Sequence, residues 1–227
     1  MNILLMANTT NPKFPAVLRY LGSRTHHVTV TDDHRGMNVS KFDIGIAWYY
    51  RVVVTQEYLD QFKYGVINNH PGKLPEVRGA YTNIWPISVG APCGVSIQKM
   101  DAGLDTGPLI ADRLISVLPT DTGESLWHRL VESQFELFCD TWPMIESGLL
   151  SGNLKTYPQY GQPQVWKTSM VIPNDNLSDL MAWGSCDADE VVDYLRARTH
   201  SQYPGAYIIR DGRKIGVRVE LEDLGPA

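Results

Sequence analysis

The sequence predicts an α/β fold of the Rossmann-like kind: an open, mostly parallel sheet with flanking helices, followed by a small C-terminal helix and a β-hairpin. Three observations carry this reading. Short apolar runs bounded by turn residues recur through the first half of the chain, as in Ile3–Ala7 and Ile44–Tyr49. The first run is followed by a helically spaced apolar set and then by further runs, the alternation expected of a parallel sheet. Near the end, Asp211-Gly212 separates two β-rich runs, a strong hairpin signal.

In chain order, Ile3–Ala7 reads as a buried strand that stops at Asn8-Thr9-Thr10-Asn11-Pro12. Phe14, Val17, Leu18 and Leu21 then give a helix over Phe14–Leu21. His27–Val30, Ile44–Tyr49 and Tyr64–Asn68 are the next strands, the last running into an Asn-Asn-His-Pro-Gly turn. Val95–Met100 and Leu109–Val117 are two more, with Asp101–Gly107 as the loop between them. A long helix follows, with Asp121 and Glu124 at N-cap and N3 spacing. Pro143 is expected to kink it and Gly148 to end it. Polar, Pro-rich chain from 151 to 186 suggests an irregular traverse. Asp187–Thr199 reads as a helix with an acidic start, and 205–221 as the hairpin. The expected division is a catalytic domain over 1–150 and a C-terminal extension over 151–227.

Composition narrows the function. With 20 basic against 25 acidic residues, the net charge of −5 gives no bulk attraction for nucleic acid. Cys93, Cys139 and Cys186 are odd in number and unpaired by spacing, so no disulfide framework or metal site is indicated and three buried thiols are expected. There is no basic leader ahead of Lys13, and no apolar run near the roughly 18 residues of a membrane span. The expected location is cytoplasmic. The loop after the first strand lacks the glycines of a dinucleotide fingerprint.

The informative stretch is Asn68-Asn69-His70-Pro71-Gly72-Lys73-Leu74-Pro75, then Arg78-Gly79, then Leu104-Asp105-Thr106-Gly107. His70 can exchange a proton near neutral pH. Asn68, two residues away, would face the same side on extended chain and could donate to a developing oxyanion. Asp105 could orient the imidazole. Each piece alone could equally be a turn, since Asn, Asp, Pro and Gly are turn residues.

In this order and spacing, Asn-x-His, Leu-Pro, Arg-Gly and Leu-Asp-Thr-Gly resemble the folate-dependent formyltransferase family over residues 1 to about 150. The resemblance implies Asn68, His70 and Asp105 as the catalytic groups and N10-formyltetrahydrofolate as co-substrate, without a metal. One departure is Gly72, where most members carry Ser; it is expected to touch only a turn or a secondary contact. The resemblance also implies a folate pocket at Tyr50, Arg51 and Val53, with Asp101, Gly103 and Leu104 as its other wall. Leu195–Thr199, Tyr203–Tyr207 and Asn83-Ile84-Trp85 are similar to segments of sugar N-formyltransferases. On that likeness the acceptor is a nucleotide-linked, dTDP-type amino sugar. Lys73, Arg78, Asn83 and Trp85 would contact it, and Arg196 could help with its diphosphate. A homodimer through the hairpin region is implied as well. The alternatives are transfer to an amino acid or carrier-bound peptide precursor, hydrolysis of the folate, and a folate or nucleotide-sugar sensor without catalysis.

Overall fold

The structure is a computed structural model that describes residues 1–167, 176, 187–202 and 205–226. Most of the expected traverse over 168–186, with Cys186, and also Tyr203 and Pro204, lie outside the described residues. The central sheet has six strands. They are β1 (Asn2–Ala7), β2 (His27–Thr31), β3 (Ile44–Trp48), β4 (Val66–His70), β6 (Gly94–Lys99) and β7 (Leu109–Leu114), in the order β2-β1-β3-β4-β6-β7. The first four run parallel, and β6 and β7 are antiparallel to their neighbours. A separate two-residue pairing joins β5 (Arg78–Gly79) to β8 (Val165–Trp166).

Period-2 alternation splits the core in two. Ile3, Leu5, Ile44, Ile46, Trp48 and Ile67 face one layer, packed with Phe138 and Trp142 of the long helix α4 (Gly123–Ser151) and with α1 (Phe14–Gly22). Leu4, Met6, Ala47 and Val66 face the other, with Val39, Phe42, Phe62 and Leu59 of the one-turn helix α2 (Gln56–Leu59). Burial on both faces explains why the inner strands read as continuous apolar runs. A third short helix, α3 (Trp85–Val89), precedes β6. Beyond α4 come α5 (Ala188–Ala197) and the hairpin β9 (Ala206–Arg210) and β10 (Arg213–Val217). Asp211 and Gly212 turn that hairpin with φ 51° and 71°, as an Asp-Gly turn of this type requires.

Several expectations are corrected. β4 extends through His70, so Asn69 and His70 continue the strand that holds Asn68 rather than turning after it. The α4 N-cap is Thr122, in a capping box with Ser125. Asp121 is not free to cap, because its buried carboxylate accepts from the Leu118 amide and Ser125 and pairs with Arg129. Gly148 does not end the helix, which runs on to Ser151 with Pro143 inside it. A Cβ at Gly148 would sit 2.8 Å from Leu154 Cα, so this glycine admits the returning chain. Gly152 provides the left-handed cap instead, at φ 70°. Cys93 is buried, but Cys139 is only half-buried. Burial pushes the Cys93 thiol up to about 11.

Candidate active site

On β4, register puts Asn68 opposite Gln98 of β6 and His70 opposite Ser96. These four side chains share the face away from α4. Here the apolar lining of Leu4, Ala47 and Val66 gives way to polar groups. The loop after β6 folds back over that face and delivers Asp105. Its carboxylate accepts from Asn68 Nδ2 at 3.2 Å, Gln98 Nε2 at 3.0 Å and the Gly79 amide at 2.9 Å. Asp105 adopts φ 53°, a left-handed conformation that Asp tolerates better than most residues but still at a cost. Three donors on one carboxylate offset that cost and leave no bare polar group there.

The imidazole of His70 is 4% exposed and bound on both sides. Nε2 lies 2.7 Å from Val77 O, and Nδ1 lies 3.6 Å from Asp105 Oδ2. A carbonyl can only accept, so Nε2 carries a proton and, in the neutral form of the ring, the lone pair lies at Nδ1. Nδ1 is therefore the atom that can take up a proton, on the side of the ring that faces the Asp105 carboxylate. Gly72 is central to this arrangement. A Cβ there would stand 2.6 Å from both His70 Nε2 and Val77 O. Of the expected turn or secondary contact it is the latter that counts: the lack of a side chain makes room for the bond between His70 Nε2 and Val77 O. Ser96 supports the same turn, donating to Gly72 O at 2.9 Å and accepting from the Leu74 amide at 3.2 Å.

Asn68 uses one N–H on Asp105 and keeps a second for an incoming oxygen. Hydrogen-bond donor, proton acceptor and carboxylate thus converge from β4 and one loop. That combination suits acyl transfer to an amine, in which the attacking nitrogen loses a proton while the acyl oxygen gains charge.

The other expected contacts are distributed unevenly. Val53 is 80% exposed and Leu104 56% exposed, both apolar surface available to a ligand. Tyr50 and Arg51, with Ala7, Asn8 and Asp32, line a cleft of about 170 Å³ at the carboxyl ends of β1, β2 and β3. The Tyr50 hydroxyl accepts from the His34 amide at 2.8 Å and meets His34 Nδ1 at 2.7 Å, in a bond whose direction follows the imidazole tautomer. Burial lowers the His34 pKa. Asp101 closes its own loop by accepting from the Gly103 amide and Thr106 Oγ1. Lys73 pairs with Asp112 at 3.1 Å. Arg78 donates through Nε and NH2 to Gln159 Oε1 at 3.2 and 2.7 Å.

Asn83 and Trp85 are engaged within the chain. Asn83 donates to Gly123 O at 2.7 Å at the start of α4. Trp85 is 5% exposed and stacks on Trp166 with centroids 4.0 Å apart and planes at 17°. Arg196 pairs with Asp193 and donates to the carbonyls of Leu118, Pro119 and Asp121, tying α5 to the turn before α4. Sequence reasoning missed Gln98, Ser96, the Val77 carbonyl and Gln159. Ser96 and Gln98 left a signal, as polar residues two apart in an otherwise apolar strand. Among the described residues no cluster of three or more His, Cys, Asp or Glu could hold a metal ion.

The mostly parallel α/β sheet thus carries a set of groups that suits acyl transfer. The chain belongs to the formyl transferase family, which matches residues 9–141. The N-formyltransferase dimerization C-terminal domain matches residues 175–223. Among curated relatives, a methionyl-tRNA formyltransferase of Francisella tularensis subsp. novicida is 32% identical over 180 residues, 78% of this chain and 52% of that protein. The chain thus spans about half the length of such relatives. Among solved structures, a sugar N-formyltransferase from Shewanella sp FDAARGOS_354 superposes with TM-score 0.85 at 17% identity, covering 99% of each chain. The formyltransferase PseJ from Anoxybacillus kamchatkensis was solved with UDP-4,6-dideoxy-4-formamido-L-AltNAc and tetrahydrofolate. It gives TM-score 0.67 at 25% identity, over 85% of this chain and 97% of that one.

Proposed function

We propose that this chain is an N-formyltransferase that moves a formyl group from N10-formyltetrahydrofolate to the primary amine of a nucleotide-linked, dTDP-type amino sugar. The observation that carries the reading is the Asn68–His70–Asp105 arrangement, with Nδ1 of His70 left as the proton acceptor. Family membership and the PseJ complex support the folate and the sugar nucleotide. The folate supplies the formyl carbon. Exposed Val53 and Leu104 offer apolar walls for its flat ring, beside the polar backbone of the 51–53 and 101–104 segments.

On this reading the free N–H of Asn68 donates to the formyl oxygen as the amine adds to the carbon. His70 Nδ1 takes the amine proton, and Asp105 balances the charge. The same proton then passes to the departing folate nitrogen, so His70 returns to its starting state. Lys73 and Arg78 are the candidate partners of the acceptor's phosphates. Asn83 and Trp85 are assigned supporting roles instead, because their polar atoms and ring faces are used within the chain.

A second reading comes from the sequence relatives, which are methionyl-tRNA formyltransferases. One experiment separates the two. The protein and N10-formyltetrahydrofolate are incubated with dTDP- and UDP-linked amino sugars, methionyl-tRNA, ornithine or water alone, and products are read by mass spectrometry. The expected result is one added formyl group on a sugar nucleotide. Formylated methionyl-tRNA would establish the second reading, and formate release alone would mean a hydrolase. Asn68→Ala is expected to lower kcat by about 10²–10³-fold and His70→Ala by about 10²–10⁴-fold.

A further inference from the structure

Gln159 lies in the segment that returns across the site after α4, and every hydrogen-bonding position of its amide is used. Nε2 donates to Asp105 O at 2.9 Å and Gly107 O at 2.8 Å. Oε1 receives the Nε and NH2 groups of Arg78. Turning the amide over would set its NH2 against a guanidinium and its oxygen against two carbonyls. The partners therefore fix its orientation. The two carbonyls it holds flank Thr106, directly after the left-handed Asp105. The direction of that peptide governs where the Asp105 carboxylate points.

We infer that Gln159 is a positioning residue that keeps the Asp105–Gly107 turn closed, holding the carboxylate at His70 Nδ1 and linking it to Arg78. This rests on the reading above, in which His70 and Asp105 serve formyl transfer. The segment does not depend on this amide for docking. The backbone of Tyr157 pairs with Leu109, the Gln164 amide donates to Pro75 O, the Arg78 amide donates to Gln164 O, and Trp166 Nε1 donates to Glu76 O. Loss of the Gln159 amide would thus free the turn while the segment stays in place.

Gln159→Ala and Gln159→Glu test this, with Trp166→Phe as a control that weakens docking elsewhere on the same segment. Hydrogen–deuterium exchange of the 101–107 peptide is compared with that of 157–166, and kcat and KM for N10-formyltetrahydrofolate are measured with the acceptor found in the screen. Both Gln159 variants are expected to exchange about tenfold faster at 101–107 with 157–166 unchanged. Their kcat should fall by about 10–100-fold with KM within about threefold. Glu should not rescue Ala, because a carboxylate cannot donate to the two carbonyls. Unchanged exchange at 101–107 in both variants, or an equal kcat loss in Trp166→Phe, would overturn the assignment. If the wild-type protein transfers formyl to no acceptor, the formyl-transfer reading falls and the exchange comparison alone decides the role of Gln159.

Discussion

At the scale of single residues, the site depends on what Gly72 lacks. A methyl group at this position would occupy the gap between His70 Nε2 and Val77 O. Gly72→Ala should displace the imidazole and release its tautomer. We expect kcat to fall about 100-fold, the cost of roughly 1 Å of misplacement. Folate affinity, measured by fluorescence titration, should be nearly unchanged, and equal losses in both would refute this account. Asn68 and His70 were legible in the sequence because side chains two apart on a strand share a face. Asp105 was legible only through its motif, since nothing local says that its loop folds back onto β4. Gln98 could have been read from the alternation in β6. Gln159 could not: its partners lie 52, 54 and 81 residues away, and a lone Gln in polar chain carries no pattern.

At the scale of elements, strand positions were readable because buried parallel strands are continuous apolar runs, and α4 because of its stripe. Its ends were misread for one reason. Asp121 and Gly148 look like cap residues but are used otherwise, the first in a local pair with Arg129 and the second in admitting the chain at Leu154. The hairpin shows a different tension. Cross-strand register places Ile215 beside Ile208 on one face and Ile209 beside Lys214 on the other. Ile209 is 54% exposed and Ile215 44% exposed, so apolar surface remains on both faces of an element that is marginal alone. The dimerization match over this region fits a second copy as its cover. Replacing both isoleucines with Asp should convert a dimer to a monomer in analytical ultracentrifugation. A wild-type monomer, or an unaffected dimer, would remove the hairpin from that role.

At the scale of the whole molecule, the histidines His26, His34 and His200 tie stability to pH. Burial lowers the pKa of His26, His34 and His200 from the ordinary value of 6.5. The folded protein then binds fewer protons than the unfolded chain wherever these groups titrate. Their contribution is fully present above 6.5 and is lost as pH falls through and below that value. The midpoint of urea unfolding should therefore drop between about pH 7 and pH 5, and a flat midpoint would contradict the burial of these rings.

The segment from Tyr157 to Trp166 also has a consequence in time. The sheet and α4 are complete in residues 1–151, yet the bond from Arg78 to Gln159 spans 81 positions. Closing so long a loop comes late, because its entropy is lost before its contacts are gained. A growing chain that has released only its first 151 residues from the ribosome would hold Asn68 and His70 on a formed strand while the Asp105 turn still lacked its clasp. Chemical competence would then arrive as a separate, later event than the fold that carries it.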